Sequence, residues 1–533
     1  MQTSRSTYVK NILIPCLVFS TAAGAGTGIL IFLFKWAASR VIGLSSSMYD
    51  LVREHPAYFP LLLAGAGLLG LIASFVLRKV PDCRGGGIPT SIAILRGLVP
   101  FHWLKSIVFV FGSAMLTYLC GVPLGNEGPS VQMGTAVGRG IVKKHPAWDR
   151  YIMTGGACAG FAAATGSPFT GILFAFEEAH RRFSPMIVLT SAVAVAAGST
   201  VMQLLCHLTD MEYSLFAFPE LAELPLKFFW TSLAVGVIVG FSAALFTVSY
   251  RHIRHFVKHT LAKVPFTVKI VSIFLLTACV GFISGECIGS GHHLVDEVME
   301  GHGVWYLLIV WFIVRAAMLL IANNSDVTGG LFVPTLAFGA ILGGLCGDIL
   351  TGTGILPGEY YSVMVVIGIA AFLGASSRTP LMALAFAGEA LCGLSNLLPI
   401  TIGVTAAYLV VETLGIPEFT ETVVESKAES VHAGKTAQVV DLHLRVAKDA
   451  FVVGKEIRDI LWPPTCTVLS VHHNPDVVHH EPRFCGGDLL HVHYQTYDAP
   501  ATFADLEALV GEQHEDVHAH VHTGDEHHHV PEV

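Results

Sequence analysis

The chain has 533 residues, of which 53% are hydrophobic and only 13% are charged, and its mean hydropathy is +0.62. Soluble domains carry about 25% charged residues, so most of this chain is predicted to lie in contact with membrane lipid. The formal net charge is −9 and no basic stripe is present, which argues against a nucleic-acid partner.

The first apolar segment runs from Asn11 to about Ala37, which is too long for the core of a signal peptide, and it is interpreted as the first membrane helix. Further apolar runs recur as far as residue 415. Several exceed the roughly 20 residues that a spanning helix needs, whereas others have about a dozen and are punctuated by glycine and proline. Such short runs predict helices that end part-way through the bilayer, where irregular backbone must line a cavity or be buried in protein.

Basic residues precede the first helix and cluster again between 251 and 263, namely Arg5, Lys10, Arg251, Arg254, Lys258 and Lys263. The positive-inside tendency assigns both regions to the cytoplasm. The sequence therefore predicts an integral protein of a prokaryotic-type plasma membrane with cytoplasmic N- and C-termini.

The stretch Gly125-Asn126-Glu127-Gly128-Pro129 places a carboxylate inside an otherwise apolar region. Proline suits the first turn of a helix, and the glycines allow a sharp turn and a close approach of the backbone to a ligand. A helix that begins here directs its free N–H groups, and the positive end of its dipole, at whatever lies beside Glu127. In a membrane this favours an anion site, at which the carboxylate competes until a proton removes its charge. The simpler alternative is a carboxylate that only caps the helix.

An internal repeat relates the two halves of the apolar region. The segment 156–177 matches 368–389 at a constant offset of 212 (368 − 156 and 389 − 177). The Gly-x-x-x-Pro turn that begins at Gly125 recurs at Gly330 with an offset of 205. Two membrane halves of this kind are typical of a transporter or channel whose site lies at their interface. Similarity alone leaves open whether the halves are inverted or parallel.

The composition changes after about residue 411, where acidic residues become frequent. A linker is predicted at 426–438 and a small α+β domain at 439–512, with strands at 439–446, 467–471 and 489–494, a short helix at 454–461 and a closing helix at 501–510. Residues 513–533 form a polar, His-rich tail that is predicted to be disordered and to bind Zn, Ni or Cu only adventitiously. The 11 cysteines are scattered without a CxxC pair and are interpreted as buried free thiols.

Four segments together resemble the CLC family of chloride channels and chloride/proton antiporters over residues 1–425: 85–89, 125–129, 329–334 and 176–178. The resemblance implies an all-α polytopic membrane protein with two inverted halves, broken helices and an independent pore in each subunit of a homodimer. It implies that Glu127 is the external gating glutamate and that Glu178 is the glutamate with which antiporters pass protons from the cytoplasmic side. No cofactor is predicted, and the apolar segments contain no HExxH sequence or nucleophile–base pair that would indicate an intramembrane enzyme; the HExxH spacing occurs at 514–518, in the polar tail.

Three positions depart from the family pattern: Gly86 replaces its central serine, Asn126 the arginine before the gating glutamate, and Phe419 an anion-coordinating tyrosine. Chloride would lose two side-chain donors and depend on backbone N–H groups. The expected anion contacts are Gly86, Gly87, Ile88, Asn126, Gly128, Val131, Thr328, Leu331, Phe332, Val333 and Phe419. The residues at positions 126 and 328, Asn126 and Thr328, resemble those of the fluoride/proton-exchanging subclass. Both carry donor groups, and the small, strongly hydrated fluoride ion needs a compact site rich in donors.

The sequence thus favours a halide/proton antiporter, with fluoride slightly preferred over chloride. The nearest alternative is a passive chloride channel of the same fold, and a remote one is a metal-regulated membrane transporter. Glu178 is interpreted either as a proton carrier or as a partner of the arginines that follow it, and Asp326 either as a proton-transfer group or as a loop residue. Glu177 and Glu389, which end the repeated segments, are interpreted as structural.

The soluble domain resembles the C-terminal module of potassium-channel regulatory subunits, of the TrkA-C or RCK-C type, through residues 451–459 and 487–490. This resemblance implies dimerisation or the binding of a small regulatory ligand on the cytoplasmic side.

Overall fold

The computed structural model describes residues 9–85, 87–216, 218–261, 263–301, 304–473, 483–511 and 520–523. The helices of its first half are α1 (Ile14–Glu54), α2 (Phe59–Lys79), α3 (Gly87–Leu95), α4 (Trp103–Cys120), α5 (Glu127–Ile141), α6 (Asp149–Thr165), α7 (Pro168–Phe174) and α8 (Pro185–Thr209). Those of the second half are α9 (Phe229–His259), α10 (Phe266–Ile283), α11 (His292–Met299), α12 (Trp305–Asn324), α13 (Phe332–Gly352), α14 (Tyr361–Ser377), α15 (Pro380–Ala390), α16 (Leu397–Thr413) and α17 (Phe419–His432). In the described part of the chain, 10 helices are long and apolar enough to cross a membrane.

The chain breaks between helices at corresponding places in the two halves. α6 is capped by Gly166, which has φ +72°, and α7 begins at Pro168. α14 is capped by Arg378, which has φ +57°, and α15 begins at Pro380. A left-handed residue ends each helix, and the residue before each proline is kept out of the helical region, so the next helix starts in a new direction.

Two carboxylates, one from each half, cap the broken helices of the other half. Glu389 accepts hydrogen bonds from the N–H groups of Phe169 (2.7 Å) and Thr170 (2.8 Å) in α7. Glu177 accepts them from the second and third residues of α15 (2.8 and 2.6 Å). Each carboxylate satisfies N–H groups that have no intrahelical partner and faces the positive end of a helix dipole. The structural role expected for both acids is confirmed.

The two halves also meet through a pair of equivalent glycines. The N–H group of Gly125 donates to the carbonyl of Gly330 (2.8 Å), and that of Gly330 donates to the carbonyl of Gly125 (2.7 Å). Because these positions correspond in the repeat, the reciprocal pair relates the halves by an approximate two-fold axis. The axis passes through the interface at which the sequence predicts the functional site.

The C-terminal domain is an antiparallel sheet with the strand order β2–β3–β1–β4, packed against one helix. Its elements are β1 (Gln438–Arg445), β2 (Thr467–His472), β3 (Leu489–Thr496), α18 (Ala499–Val510) and β4 (His520–Thr523). Val440, Leu442 and Leu444 alternate along β1 and are buried in the core of the domain, as a strand with one buried face requires. The α+β class expected for this domain is confirmed.

Three details of this region differ from the sequence prediction. The stretch 426–438 is not wholly a linker, because α17 continues to His432 and its charged residues find partners on and beside α3. The prediction of a helix at 454–461 is wrong, because only a short 3-10 turn, Ile457–Asp459, forms. The backbone of Gly454 and Lys455 pairs with that of Phe484, and the backbone from 459 onward contacts the helical membrane part, α1–α17. Residues 520–523 of the tail form β4 rather than being disordered, while the expected turn at 474–475 and the rest of the tail lie outside the described residues.

The C-terminal domain docks on the membrane part through main-chain groups of the loop 459–462. The Tyr151 hydroxyl donates to the first carbonyl of this loop (2.7 Å) and accepts a hydrogen bond from the N–H group of Leu461 (2.9 Å). Arg182 donates to the second carbonyl (2.6 Å), and Arg150 donates to the last. A cavity of about 700 Å³ lies beside this contact, lined by residues of α6, α17 and α18.

Candidate functional site

Three glycine-rich turns meet in the interior of the membrane part, and their backbones touch. A Cβ atom on Gly87 would overlap the carbonyl oxygen of Gly128, and one on Gly128 would lie 2.7 Å from the Cα atom of Gly330. Real Cβ atoms essentially never approach another atom within 3.0 Å, so only glycine fits at these positions. The contact brings the starts of α3, α5 and α13 together.

The three helices begin with the same local pattern. The third residue of each is a proline, Pro89 in α3, Pro129 in α5 and Pro334 in α13. Proline lacks an N–H group at a position where that group would have no partner in the helix. The remaining N–H groups of each first turn have no intrahelical partner, and the positive ends of three dipoles lie close together. Such an arrangement can bind an anion without a cationic side chain.

Glu127 is the first residue of α5 and is fully buried at the junction, the place where the starts of α3, α5 and α13 meet. Within the described part of the chain, neither of its carboxylate oxygens has a hydrogen-bond partner. A side chain on Gly125 would overlap the Glu127 carboxylate, and the Tyr118 hydroxyl donates to the carbonyl of Gly125 (2.9 Å). Because folding gains nothing from a buried carboxyl group without partners, its presence calls for a functional explanation.

Glu178 lies in a π-helical turn, Ala175–Ala179, that follows α7. Its carboxyl group is buried and accepts a hydrogen bond from the Thr420 hydroxyl (3.1 Å). Two nearby arginines, Arg96 and Arg181, pair instead with acidic residues at the start of α17. No ion pair with Glu178 is found in the described ranges, so the ion-pair interpretation that the sequence left open is not supported.

The other expected contacts of the junction are apolar residues whose backbone, rather than side chain, could face an anion. Ile88, Val131, Leu331 and Val333 are buried in or next to the first turns of the three helices. Gly86 lies outside the described residues.

The two expected aromatic contacts are held by ring packing. Phe332 packs edge-to-face on Phe161, with ring centroids 5.0 Å apart, and on a phenylalanine of α15 at 5.2 Å. Phe419 packs against Tyr250 at 4.9 Å and Phe246 at 5.3 Å. Such pairs stabilise the surrounding helices.

The polar residues next to the glycine turns have specific partners. Asn126 occupies the N-cap position of α5, but its side chain does not cap the helix. The sequence predicts that Thr328 donates to the anion, and the structure corrects this prediction, because the Thr328 hydroxyl donates to the carbonyl of Cys83 (2.7 Å). Asp326 has φ +63°, and its carbonyl accepts a hydrogen bond from the N–H group of Gly85 (3.0 Å). The loop before α13 is therefore tied to the turn before α3.

Two residues that contact the Glu178 turn belong to no recognisable motif. Thr420 lies 242 residues from Glu178 in the chain, and Arg96 donates to the carbonyls of Glu178 (3.3 Å) and Ala179 (2.9 Å). Only the position of Thr420 directly after Phe419 connects it to the predicted site. Spacing in the sequence could not have identified either contact.

One group of potential metal ligands is found in the described part of the chain, formed by Glu286, His293 and Glu297. Their ligand atoms lie within 4.8 Å of one another, and His293 is largely exposed. Imidazole with carboxylates suits Zn and similar ions. The group belongs to α11 and the turn before it, separate from the junction of the three glycine turns.

Comparison with known proteins agrees with this geometry. The family described as Voltage gated chloride channel matches residues 69–412. Two H(+)/Cl(-) exchange transporters named ClcA, from Salmonella arizonae and Salmonella paratyphi B, are each 28% identical over 410 residues, which is 75% of this chain and 86% of theirs.

Two solved structures have a similar fold. One is a slow cyanobacterial Cl-/H+ antiporter with a TM-score of 0.71 and 22% identity, covering 78% of this chain and 98% of that one. The other is a CLC-type fluoride/proton antiporter with a TM-score of 0.63 and 20% identity, covering 77% of this chain and 98% of that one. The expected fold class, a helical membrane protein with CLC-type inverted halves and a small α+β domain, is confirmed.

Replacement of Gly87 by alanine is expected to force α3 and α5 apart, because the new methyl group would overlap the Gly128 carbonyl. Backbone atoms cannot move aside as a flexible side chain can, so we expect at least the ~1–3 kcal/mol loss that overpacking causes, together with loss of transport. Thermal unfolding in detergent and flux in liposomes would measure both. Gly43→Ala in α1 is the matched control, since nothing lies within 4 Å of its Cβ position, and equal behaviour of the two variants would contradict the tight junction.

Proposed function

We propose that this chain, which belongs to the voltage-gated chloride channel family, is a membrane antiporter that exchanges a halide, fluoride or chloride, for protons. The observation that carries the proposal is Glu127, a buried carboxyl group without a hydrogen-bond partner where three helix starts meet. The names of the ClcA relatives, which describe H(+)/Cl(-) exchange, support the same activity. The proposed activity is transport, with no enzymatic step and no cofactor.

In the proposed mechanism the halide is held by backbone N–H groups near Ile88, Gly128, Val131 and residues 331–333. The positive ends of α3, α5 and α13 favour an anion there, and the touching glycines keep the three starts close enough to share one ion. The amide group of Asn126, which does not cap α5, supplies a further donor.

Glu127 and the halide compete for this positive region. An ionised carboxylate occupies the outer part of the site and excludes the halide, whereas a protonated carboxyl group no longer competes and leaves the site open. Since the proton and the halide favour opposite states of one side chain, their movements are coupled.

Glu178 is the proposed carrier of protons between the cytoplasm and Glu127. It is buried, its one described hydrogen bond comes from Thr420, and the surrounding arginines are neutralised by other acids. A buried acid that is not locked in an ion pair can gain and lose a proton without breaking a structural contact.

Fluoride is proposed as the slightly preferred ion. The site relies on compact backbone donors and Asn126, and it has a phenyl ring at Phe419 in place of a hydroxyl group. A small anion that holds its hydration shell strongly needs several close donors to replace that shell. Chloride remains the alternative ion for the same site.

The assembly is proposed to be a homodimer in a prokaryotic-type plasma membrane, with both termini in the cytoplasm. Phe169, Leu381 and Leu398 are exposed large apolar side chains on α7, α15 and α16 and are available for burial against lipid or a second copy. The cavity of about 700 Å³ beside the loop 459–462 is the proposed place for a small regulatory ligand.

The function is tested by flux measurements on the full chain in liposomes. An outward halide gradient is expected to drive protons inward against their own gradient, with fluoride moving at least as fast as chloride. Proton uptake is followed with a pH electrode and halide release with ion-selective electrodes. Halide release without proton uptake would instead indicate a passive channel, and chloride release far faster than fluoride release would contradict the fluoride preference.

The variant Glu127→Gln is expected to lose proton uptake while halide still flows passively, because a neutral amide can neither exchange a proton nor compete as an anion. The ratio of protons to halides should fall from the wild-type value to near zero in the same liposome assay. Proton pumping that survives in this variant would remove Glu127 from the mechanism.

The variant Glu178→Gln is likewise expected to lose proton coupling with halide flux retained, because the proposed route passes through this carboxyl group. Glu177→Gln is the matched control: it removes the neighbouring acid, which caps α15, and should lower thermal stability without changing the ratio of protons to halides. A normal ratio in the Glu178→Gln variant, or its loss in both variants, would count against a specific role for Glu178.

A further inference from the structure

Lys427 lies on α17, about two turns after Phe419, and its ammonium group reaches the start of α3. Nζ donates to the carbonyl of Arg84 (2.7 Å) and to the hydroxyl of Thr90. Both acceptors flank the glycine turn from which α3 begins. A Cβ atom on Gly85 would lie only 3.2 Å from Nζ, so the ammonium group lies directly against this turn.

The charge of Lys427 has an unfavourable position in the fold. Cations are stabilised at the C-terminal ends of helices, and this ammonium group lies at the N-terminal, positive end of α3. No carboxylate among the described residues lies within the 4.0 Å of Nζ that defines an ion pair. The carboxylate of Asp326 also lies near this turn, with an oxygen 3.9 Å from the same Cβ position, and it attracts the ammonium group without forming an ion pair with it.

Folding alone does not explain a charged group here. A neutral donor would satisfy the Arg84 carbonyl and the Thr90 hydroxyl equally well, and it would avoid repulsion from the helix dipole and from Arg254 on α9. Only two acceptors for the three N–H bonds of the ammonium group are found in the described part of the chain. Both the charge and the remaining N–H bond would be satisfied by an anion at the Gly85 turn.

We propose that Lys427 determines the affinity for the halide at the end of the transport path beside α3, by attracting the anion to the Gly85 turn and donating a hydrogen bond to it. This assignment rests on the proposed function, because it requires the halide to pass the start of α3. Lys427 lies on a different element from the three helices that form the junction, and it brings a positive side-chain charge to the start of α3.

A halide held by Lys427 should bind in a pH-dependent way, because the ammonium group can lose its proton. Burial lowers the pKa of Lys427 to about 8, and Arg254 acts in the same direction, while Asp326 and Cys83 oppose the shift. A bound halide stabilises the charged form. Raising the pH through about 8 removes that charge, so the halide should then bind more weakly, whereas an arginine at this position would stay charged.

The test compares Lys427→Met and Lys427→Arg in the full chain, with halide KM and maximal rate measured from liposome efflux well below and well above pH 8. Lys427→Met should raise KM about tenfold at low pH, with a maximal rate little changed. Lys427→Arg should keep the wild-type KM at low pH and hold it at high pH, where the KM of the wild type rises. Lys258→Met is the control, because it removes one exposed charge from α9 that pairs with Glu429 of α17.

An unchanged KM in Lys427→Met, or a fall in maximal rate alone, would assign Lys427 a merely structural part and overturn the proposal. A wild-type KM that does not change with pH would do the same. Proton uptake by the wild type is recorded in the same liposomes: its absence, with the KM shift present, would overturn the antiport mechanism and leave the assignment of Lys427 standing.

Discussion

The contact between the backbones of Gly87, Gly128 and Gly330 is the constraint on which the membrane part depends. Three helices can start at one place only if no side chain separates them. Helices that start inside a membrane leave N–H groups without partners, and each unsatisfied group in lipid costs several kcal/mol. These starts must therefore be enclosed by protein, and the long apolar helices around them provide that enclosure. The same unsatisfied groups are what a naked anion requires.

Neighbouring acids have different roles because of the backbone that carries them. Glu177 and Glu178 follow one another in a π-helical turn. One carboxylate caps α15 of the opposite half, and the other is buried toward α17, where it contacts Thr420. A π-turn inserts a residue into the helical repeat and so changes the direction of the side chains within it. The repeat requires the first acid, whose counterpart is Glu389; at the second position the other half has an alanine, Ala390.

The C-terminal domain is connected to the Glu178 turn by a short series of contacts. Arg182, which follows this turn, and Tyr151, at the start of α6, both bind main-chain groups of the loop 459–462. The loop is held through its carbonyl and N–H groups, so its docking depends on backbone position more than on side-chain identity. This use of the backbone also explains why 459–461 does not continue the helix that the sequence favours.

The sequence by itself determined the membrane class, the repeat, the broken helices and the position of Glu127, because these follow from local composition, glycine and proline spacing, and the isolation of one acid in an apolar stretch. It also separated Glu177 from Glu178 through the repeat. Only the tertiary structure decided that the Thr328 hydroxyl donates to the carbonyl of Cys83, that the arginines near the Glu178 carboxyl group pair with other acids, and that Lys427 reaches the start of α3. Each of these three observations depends on contacts between residues far apart in the chain. A local sequence pattern cannot predict which distant group a side chain contacts once the helices pack.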